Sequence, residues 1–210
     1  MSSAVRAHRR RTKKRTKRLT MRRALYGLNL EDAPFIIRLD NYLYRMLTTP
    51  RWPQWMIRIM KAISRLGDGY AGVLLGLSFY VFGVESATYY FLRGLSGGLL
   101  CILVFVLIKN TVHRTRPFER HTDRDPHMKP PDKYSFPSGH TMFAFSMIFT
   151  AGPIHPALIA GIIVFAILVA LSRVIVRVHY PLDVIGGAIF GSLVGIGVDA
   201  LARSLIVLPL

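Results

Sequence analysis

Residues 172–183, SRVIVRVHYPLD, separate two long apolar runs in the last third of this 210-residue chain. Pro181 is typical of a helix start, which places His179 in the preceding turn and Asp183 in the first helical turn. A carboxylate at that position can accept a hydrogen bond from one imidazole nitrogen and leave the other free as a nucleophile. Asp183 has an alternative role, a favourable interaction with the positive end of the helix dipole.

Cations cluster in this stretch and in an earlier one, residues 109–117, KNTVHRTRP. Lys109 directly follows an apolar run, Arg116 comes seven residues later, and Arg173 ends the next-to-last apolar run. Such groups suit a phosphate, which arginine binds as a bidentate fork and lysine as a point charge. Taken singly, Lys109 or Arg116 is explained equally well by a long basic side chain reaching the membrane surface.

A third stretch, PSGH at residues 137–140, opens another apolar block. Pro137 suits a first helical position, so Ser138 and Gly139 would fall in the first turn, whose free backbone N–H groups bind anions. Gly139 would let a phosphate approach the backbone closely. His140 beside an anion can be protonated near neutral pH, as a general acid must be, although a capping or packing histidine is the alternative.

The apolar residues predict an all-α protein, an integral membrane helical bundle with about five spans plus an amphipathic interfacial helix. The five blocks occupy residues 70–84, 89–108, 139–151, 157–176 and 182–201, within a membrane domain at 67–210. In the last block Gly187, Gly191 and Gly195 are four residues apart and predict a smooth face for close helix packing.

Residues 31–66 carry too much charge to span a bilayer and are predicted to form an amphipathic segment at the interface. Its centre, residues 53–65, has helical periodicity, and Trp52 and Trp55 suit headgroup depth. The same helix could instead pack across the end of the bundle.

Residues 1–30 form a basic tail with 11 Lys and Arg and no acid before residue 24, in a chain of net charge +17. Its composition predicts disorder and binding to an anionic lipid surface rather than to nucleic acid. No apolar stretch with a cleavage site follows, so it is not a signal peptide. Because the motif loops are also basic, the positive-inside rule places the tail and the catalytic face in the cytoplasm.

Metal and disulfide chemistry have little support. Cys101 is the single cysteine, so no intrachain disulfide is possible. Four residues of the middle loop could suggest a metal site but suit a solvated loop better: His121, Asp123, Asp125 and His127. We therefore expect no metal and no cofactor.

Taken together, the three stretches resemble the type 2 phosphatidic acid phosphatase superfamily, whose pattern is K-x6-R-P, P-S-G-H and S-R-x5-H-x3-D. The match has no substitution from Lys109 to Asp183. The resemblance implies a metal-independent phosphatase of the membrane branch, in the bacterial cytoplasmic membrane or the endoplasmic reticulum.

The resemblance also implies residue roles. Lys109, Arg116, Ser138, Gly139 and Arg173 would bind the phosphate. His179 would become a phosphohistidine, oriented by Asp183, while His140 protonates the leaving group.

The chain departs from the family in one respect: many small members have six spans and a site opposite the N-terminus, whereas here a first span is missing. The expected substrate is a lipid phosphate or an isoprenoid diphosphate, and phosphatidic acid, phosphatidylglycerol phosphate and prenyl diphosphates all remain open. The run at residues 132–140, DKYSFPSGH, resembles the subgroup acting on isoprenoid diphosphates. Two alternatives share the motifs: a lipid phosphotransferase using the same histidine, and a membrane-anchored binding protein with a basic tail. The sequence leaves the oligomeric state open.

Overall fold

The computed structural model describes residues 34–121, 123–152 and 156–205. Over these residues the protein consists of helices and loops without a β-strand, as predicted. The helices are α1 (Phe35–Thr48), α2 (Gln54–Leu66), α3 (Tyr70–Val81), α4 (Ala87–Thr111), α5 (Pro117–Arg120), α6 (Gly139–Thr150), α7 (Pro156–Ile175) and α8 (Pro181–Leu205). The basic tail at 1–30 lies outside the described residues.

The five predicted apolar blocks correspond to α3, α4, α6, α7 and α8, each with ends within a few residues of those expected. Three of them are long and apolar enough to cross a membrane: α4 and α8 with 25 residues each and α7 with 20. Helices α3 and α6 have 12 residues each, about 18 Å at 1.5 Å per residue. The number of five spans therefore stays a prediction, while a helical membrane fold is confirmed.

The glycine face of α8 packs directly on the backbone of α6, as its spacing predicts. A Cβ atom on Gly187 would lie 2.6 Å from the carbonyl oxygen of Ser138, and one on Gly195 would lie 2.7 Å from that of Ser146. The middle glycine, Gly191, approaches the carbonyl of Met142 more closely still. Only glycine allows these approaches, so α6 and α8 are held in one register.

Two helices precede the apolar bundle. The interfacial prediction at 53–65 coincides with α2, which packs Ile63 against Ala166 and Val169 of α7; its position at a membrane interface stays a prediction. Helix α1 was not predicted. The chain divides into two compact units after Leu39, and the second unit begins at Asp40 within α1. Residues 34–39, the described part of the first unit, form the beginning of that helix.

From Asp40 onward, α1 is held by polar contacts and by an apolar cluster, in which Tyr44 and Leu47 pack with Val174, Tyr180 and Val184. The side chains of Asn41 and His121 meet at 3.3 Å, and Tyr44 stacks on His121 at 5.3 Å between ring centroids. Thr48 accepts a hydrogen bond from Arg124 at 2.8 Å. These contacts attach the second half of α1 to the loop that follows α5.

Candidate functional site

The three sequence stretches converge at one end of the bundle. The backbone N–H of Ser138 donates to the carbonyl of Asp183 at 2.9 Å, which joins the start of α6 to the start of α8. Arg116 donates to the carbonyl of Val178 at 2.7 Å, and its Nη1 lies 3.4 Å from Nε2 of His179. The chain thus brings together groups that are more than 60 residues apart in sequence.

His179 lies in the turn between α7 and α8, as predicted, with a side chain only 2% exposed. Its Nδ1 atom is 3.5 Å from Oδ2 of Asp183, at the outer limit of a hydrogen bond. Its Nε2 atom faces Arg116 on the other side. The imidazole therefore has one nitrogen toward a carboxylate and one toward a cation.

The surroundings of His179 favour its neutral form. Burial lowers the pKa of His179 well below its ordinary value, and nearby cations lower it further. In decreasing order of effect these cations are Arg173, Arg116 and Lys109. A neutral imidazole retains a lone pair on the nitrogen that faces the cations, and this is the form a nucleophile requires.

Asp132, which the sequence analysis assigned to no function, lies among these cations. Its Oδ1 is 2.7 Å from Nζ of Lys109 and pairs with Nη2 of Arg116. Burial raises the pKa of Asp132, but the ion pairs with Lys109 and Arg116 outweigh it and hold the value below its ordinary range. The carboxylate of this loop residue thus forms ion pairs with two of the three predicted phosphate-binding cations.

The third cation, Arg173, comes from the end of α7 and is 1% exposed. Its Nη1 donates to Oγ of Ser64 on α2 and contacts Sδ of Met128 at 3.7 Å. Lys109, Arg116 and Arg173 thus surround a neutral imidazole, and Asp132 is the carboxylate that pairs with two of them. This local cluster of cations favours an anion.

The start of α6 differs in one detail from the prediction. The helix begins at Gly139, with Ser138 as the N-cap residue, so Pro137 lies before the helix rather than at its first position. Ser138 is fully buried and its hydroxyl accepts from Thr141 at 3.0 Å. His140 pairs through Nε2 with Asp68. The close neighbour of Gly139 is the ring of Phe105.

A largely apolar cavity of about 710 Å³ leads away from these groups. Its polar end is lined by Asp132, His140, Arg173 and His179. From there it follows α3, α4 and α6 to Thr150 and Ala151, at the opposite end of α6. A charged end and a long apolar body match a ligand with an anionic head and a hydrocarbon chain.

Four charged residues of this region escaped sequence reasoning: Asp40, Asp68, Arg114 and Asp132. Arg114 could have been noticed, because it stands two residues before Arg116 in the same motif. Asp68 lies between two glycines just before an apolar block, another usable signal. Asp132 begins the run at residues 132–140 and could also have been noticed. Asp40 stands in no motif, and only the fold brings it to the site.

The middle-loop residues weighed as metal ligands do not come together. His121 stacks on Tyr44 and Asp123 pairs with Arg124 at 3.3 Å. In the part of the chain that the structure describes, no three His, Cys, Asp or Glu side chains are grouped as a metal site.

Comparison with known proteins places this geometry in a family. The model of the PAP2 superfamily matches residues 87–203, more than half of the chain. Decaprenylphosphoryl-5-phosphoribose phosphatase of Mycobacterium tuberculosis is 29% identical over 148 residues, which cover 69% of this chain and 80% of the relative. Phosphatidylglycerophosphatase B of Bacillus subtilis is 30% identical over 166 residues, covering 66% and 71%. Undecaprenyl-diphosphatase of Sulfolobus acidocaldarius is 47% identical over 64 residues, covering 30% and 31%.

Solved structures agree. The crystal structure of Aquifex aeolicus LpxE superposes with a TM-score of 0.64 at 25% identity, over 76% of this chain and 94% of that one. A transmembrane PAP2-type phosphatidylglycerolphosphate phosphatase from Bacillus subtilis gives a TM-score of 0.64 at 24% identity, over 83% and 90%, a likeness of fold. The chain belongs to the PAP2 superfamily.

Proposed function

We propose that this member of the PAP2 superfamily is a membrane phosphatase that removes the terminal phosphate of a lipid phosphate or an isoprenoid diphosphate. One observation carries the proposal: buried His179 lies between Asp183 and a cluster of cations, at the charged end of an apolar cavity. The names of the relatives support it, since each is a phosphatase of a lipid or isoprenoid compound.

In the first half-reaction, Lys109, Arg116 and Arg173 bind the phosphate oxygens, together with Ser138 and the backbone of Gly139. Nε2 of His179 attacks phosphorus, a P–N bond forms and the P–O bond to the lipid breaks. A second histidine, His140, donates a proton to the departing oxygen. The proton on Nδ1 of His179 faces Asp183, whose carboxylate stabilises the positive charge on the ring.

In the second half-reaction, water attacks the phosphohistidine. His140, now neutral, accepts the proton of that water, the P–N bond breaks and inorganic phosphate leaves. Asp132 must give up Lys109 and Arg116 while phosphate occupies them. Its side chain is 32% exposed, so it has a route toward solvent.

The hydrocarbon part of the substrate lies in the cavity along α3, α4 and α6. Gly72 and Gly76 of α3 and Gly98 of α4 leave room there for the rings of Phe143 and Phe91. The lipid head alone then reaches the cations, while the chain stays at the depth of the apolar helices. The three candidate substrate classes all consist of a phosphate head and a hydrocarbon chain: phosphatidic acid, phosphatidylglycerol phosphate and prenyl diphosphates.

We further propose that the catalytic end faces the cytoplasm in a chain of five spans, and that the basic tail at 1–30 binds anionic lipid there. The support is the clustering of cations in the loops at the catalytic end, compared with few at the other. Cys101 is buried, so a cysteine introduced at exposed Asp123 would report the side of the membrane by its reaction with impermeant maleimide.

The first experiment measures phosphate release by the purified protein in detergent with EDTA. The panel is phosphatidic acid, phosphatidylglycerol phosphate, farnesyl diphosphate and undecaprenyl diphosphate. We expect phosphate release from at least one lipid, and we expect His179→Ala to abolish it. With substrate labelled in the phosphate, the wild-type protein should carry acid-labile labelled phosphate. Release by His179→Ala at the wild-type rate would refute the mechanism, and transfer to an added acceptor lipid without release would identify a phosphotransferase.

A further inference from the structure

The catalytic carboxylate uses its two oxygens for different partners. Oδ2 of Asp183 accepts from the backbone N–H of Tyr180 at 2.8 Å and faces Nδ1 of His179 at 3.5 Å. Oδ1 accepts from Nη1 of Arg114 at 2.6 Å, and Oγ of Ser135 lies 3.5 Å away. Arg114 therefore holds Asp183 by the oxygen that does not face the imidazole.

Arg114 is in turn held by a carboxylate on α1. Its Nη2 pairs with Oδ2 of Asp40, while Oδ1 of Asp40 accepts from the backbone N–H of Leu182 at 2.8 Å. The side chains of Asp40 and Asp183 are both fully buried. The guanidinium of Arg114 also lies 4.4 Å from the centre of the Tyr180 ring. A continuous chain of contacts thus runs from His179 through Asp183 and Arg114 to Asp40.

The charges along this chain determine how strongly Asp183 acts on His179. Arg114 alone would neutralise Asp183, and a neutralised carboxylate stabilises an adjacent positive ring less. Because Asp40 shares the same guanidinium, the three side chains together carry one negative charge. That charge is separated from water, so its effect on the neighbouring imidazole is little screened.

We propose that Asp40 and Arg114 are positioning residues for His179: Arg114 fixes the orientation of Asp183, and Asp40 keeps the charge of Asp183 effective. The proposal rests on the proposed function, in which His179 is the nucleophile. It gives α1 a part in catalysis although Asp40 touches no reacting atom.

The first test is a double-mutant cycle on phosphate release. Asp40→Asn keeps an acceptor for the N–H of Leu182 and removes the charge. We expect kcat to fall roughly 10- to 100-fold, by analogy with the outer partners of metal-binding histidines. KM and the inhibition constant of inorganic phosphate should stay unchanged, since the three phosphate-binding cations are untouched. When Arg114→Gln is already present, adding Asp40→Asn should lower kcat little further, because Asp40 acts through Arg114.

Asp123→Asn is the matched control, because it also removes a carboxylate that pairs with an arginine, Arg124. The side chain of Asp123 is 71% exposed, whereas that of Asp40 is buried. Asp123→Asn should leave kcat unchanged. An unaltered kcat in Asp40→Asn, or an equal loss in both backgrounds, would overturn the proposal.

The second test does not need turnover. It follows the ring ¹⁵N shifts of His179 against pH, assigned by comparison with His179→Ala. The charged and titratable groups that face this ring are Lys109 on α4, Arg116 and Asp132 in the loops, His140 on α6, Arg173 on α7 and Asp183 on α8. All of them remain in the variants.

Asp40→Asn removes a negative charge and should lower the pKa of His179, whereas Arg114→Gln removes a positive charge and should raise it. A general structural disturbance would not shift the pKa in opposite directions. Shifts of the same sign, or none, would overturn the proposal. If the wild-type protein released no phosphate from any lipid, the proposed function would fail, and this titration would still decide whether Asp40 and Arg114 act on His179.

Discussion

Both ends of the bundle bury an arginine, but the two are used differently. At the end remote from His179, Arg93 of α4 is 5% exposed, and each of its three side-chain nitrogens has an acceptor. It pairs with Asp199 of α8 at 2.8 Å and donates to the carbonyls of Thr150 at 3.0 Å and Phe149 at 2.6 Å. At the other end, Lys109 and Arg116 share the single carboxylate of Asp132. Asp199 is shared as well, because it also pairs with Arg203 at 3.1 Å. Buried charge and a carboxylate between two cations are therefore common to both ends, while a third buried cation distinguishes the His179 end: Arg173, whose Nη1 donates to the hydroxyl of Ser64 instead of to a carboxylate.

The largest expected contrast comes from removing one arginine at each end. Arg173→Gln should lower kcat/KM by on the order of 10²- to 10³-fold, the effect of losing one group that stabilises transition-state charge. Arg93→Gln should leave kcat/KM nearly unchanged but destabilise the fold by about 1–3 kcal/mol, because it leaves the buried carbonyls of Phe149 and Thr150 without their donor. Phosphate release and thermal unfolding in detergent measure the two effects. A strong loss of turnover with Arg93→Gln would abolish the distinction between the ends.

A smaller effect tests the shared carboxylate itself. Asp132→Asn removes the anion that competes with phosphate for Lys109 and Arg116. The inhibition constant of inorganic phosphate should therefore fall roughly tenfold, equivalent to about 1.4 kcal/mol. Asp125→Asn, an exposed change in the preceding loop, is the control and should have no effect. Weaker phosphate inhibition in Asp132→Asn would mean that Asp132 organises the cations instead of competing for them.

The smallest effect concerns pH. In the proposed mechanism His179 attacks only when neutral, and its pKa is held below the ordinary value by burial and by Arg173. Loss of activity on the acid side should therefore occur below about pH 6.5, the ordinary value for histidine. Arg173→Lys keeps the charge and should leave this limb in place, whereas Arg173→Gln should move it to higher pH because a positive charge is lost. The profile of kcat/KM from about pH 4 to pH 9 measures both. An acid limb at or above the ordinary histidine value would contradict the assignment.

The sequence predicts correctly those features of the fold that depend on local residue patterns, such as the ends of helices. The apolar blocks gave the ends of α4 and α8 to within about four residues, since charged or turn-forming residues terminate them. The eight predicted site residues had recognisable spacing, and the structure gathers their stretches at one end of the bundle. Their roles in catalysis stay predictions.

What sequence reasoning missed is carried by contacts between distant residues. Asp40 meets Arg114 across 74 positions, and nothing near Asp40 distinguishes it from other charges on a surface helix. For the same reason α1 was not recognised as a separate helix: it is attached by side-chain pairs and by the apolar contacts of Tyr44 and Leu47, not by a long apolar stripe. Pro137 was misplaced by two residues because Ser138 takes the capping position.

The glycine seam between α6 and α8 has a consequence for how substrate preference can change. Gly187, Gly191 and Gly195 contact the backbone of the other helix at four-residue intervals. Neither helix can shift along the other, because a residue with a side chain would then clash with a backbone carbonyl oxygen. The starts of α6 and α8, which carry Ser138, His140 and Asp183, are thereby fixed relative to each other. Room for variation lies in α3, which lines the cavity and carries none of the eight predicted site residues. Substitutions in α3 change the apolar wall of the cavity and leave those three residues in place.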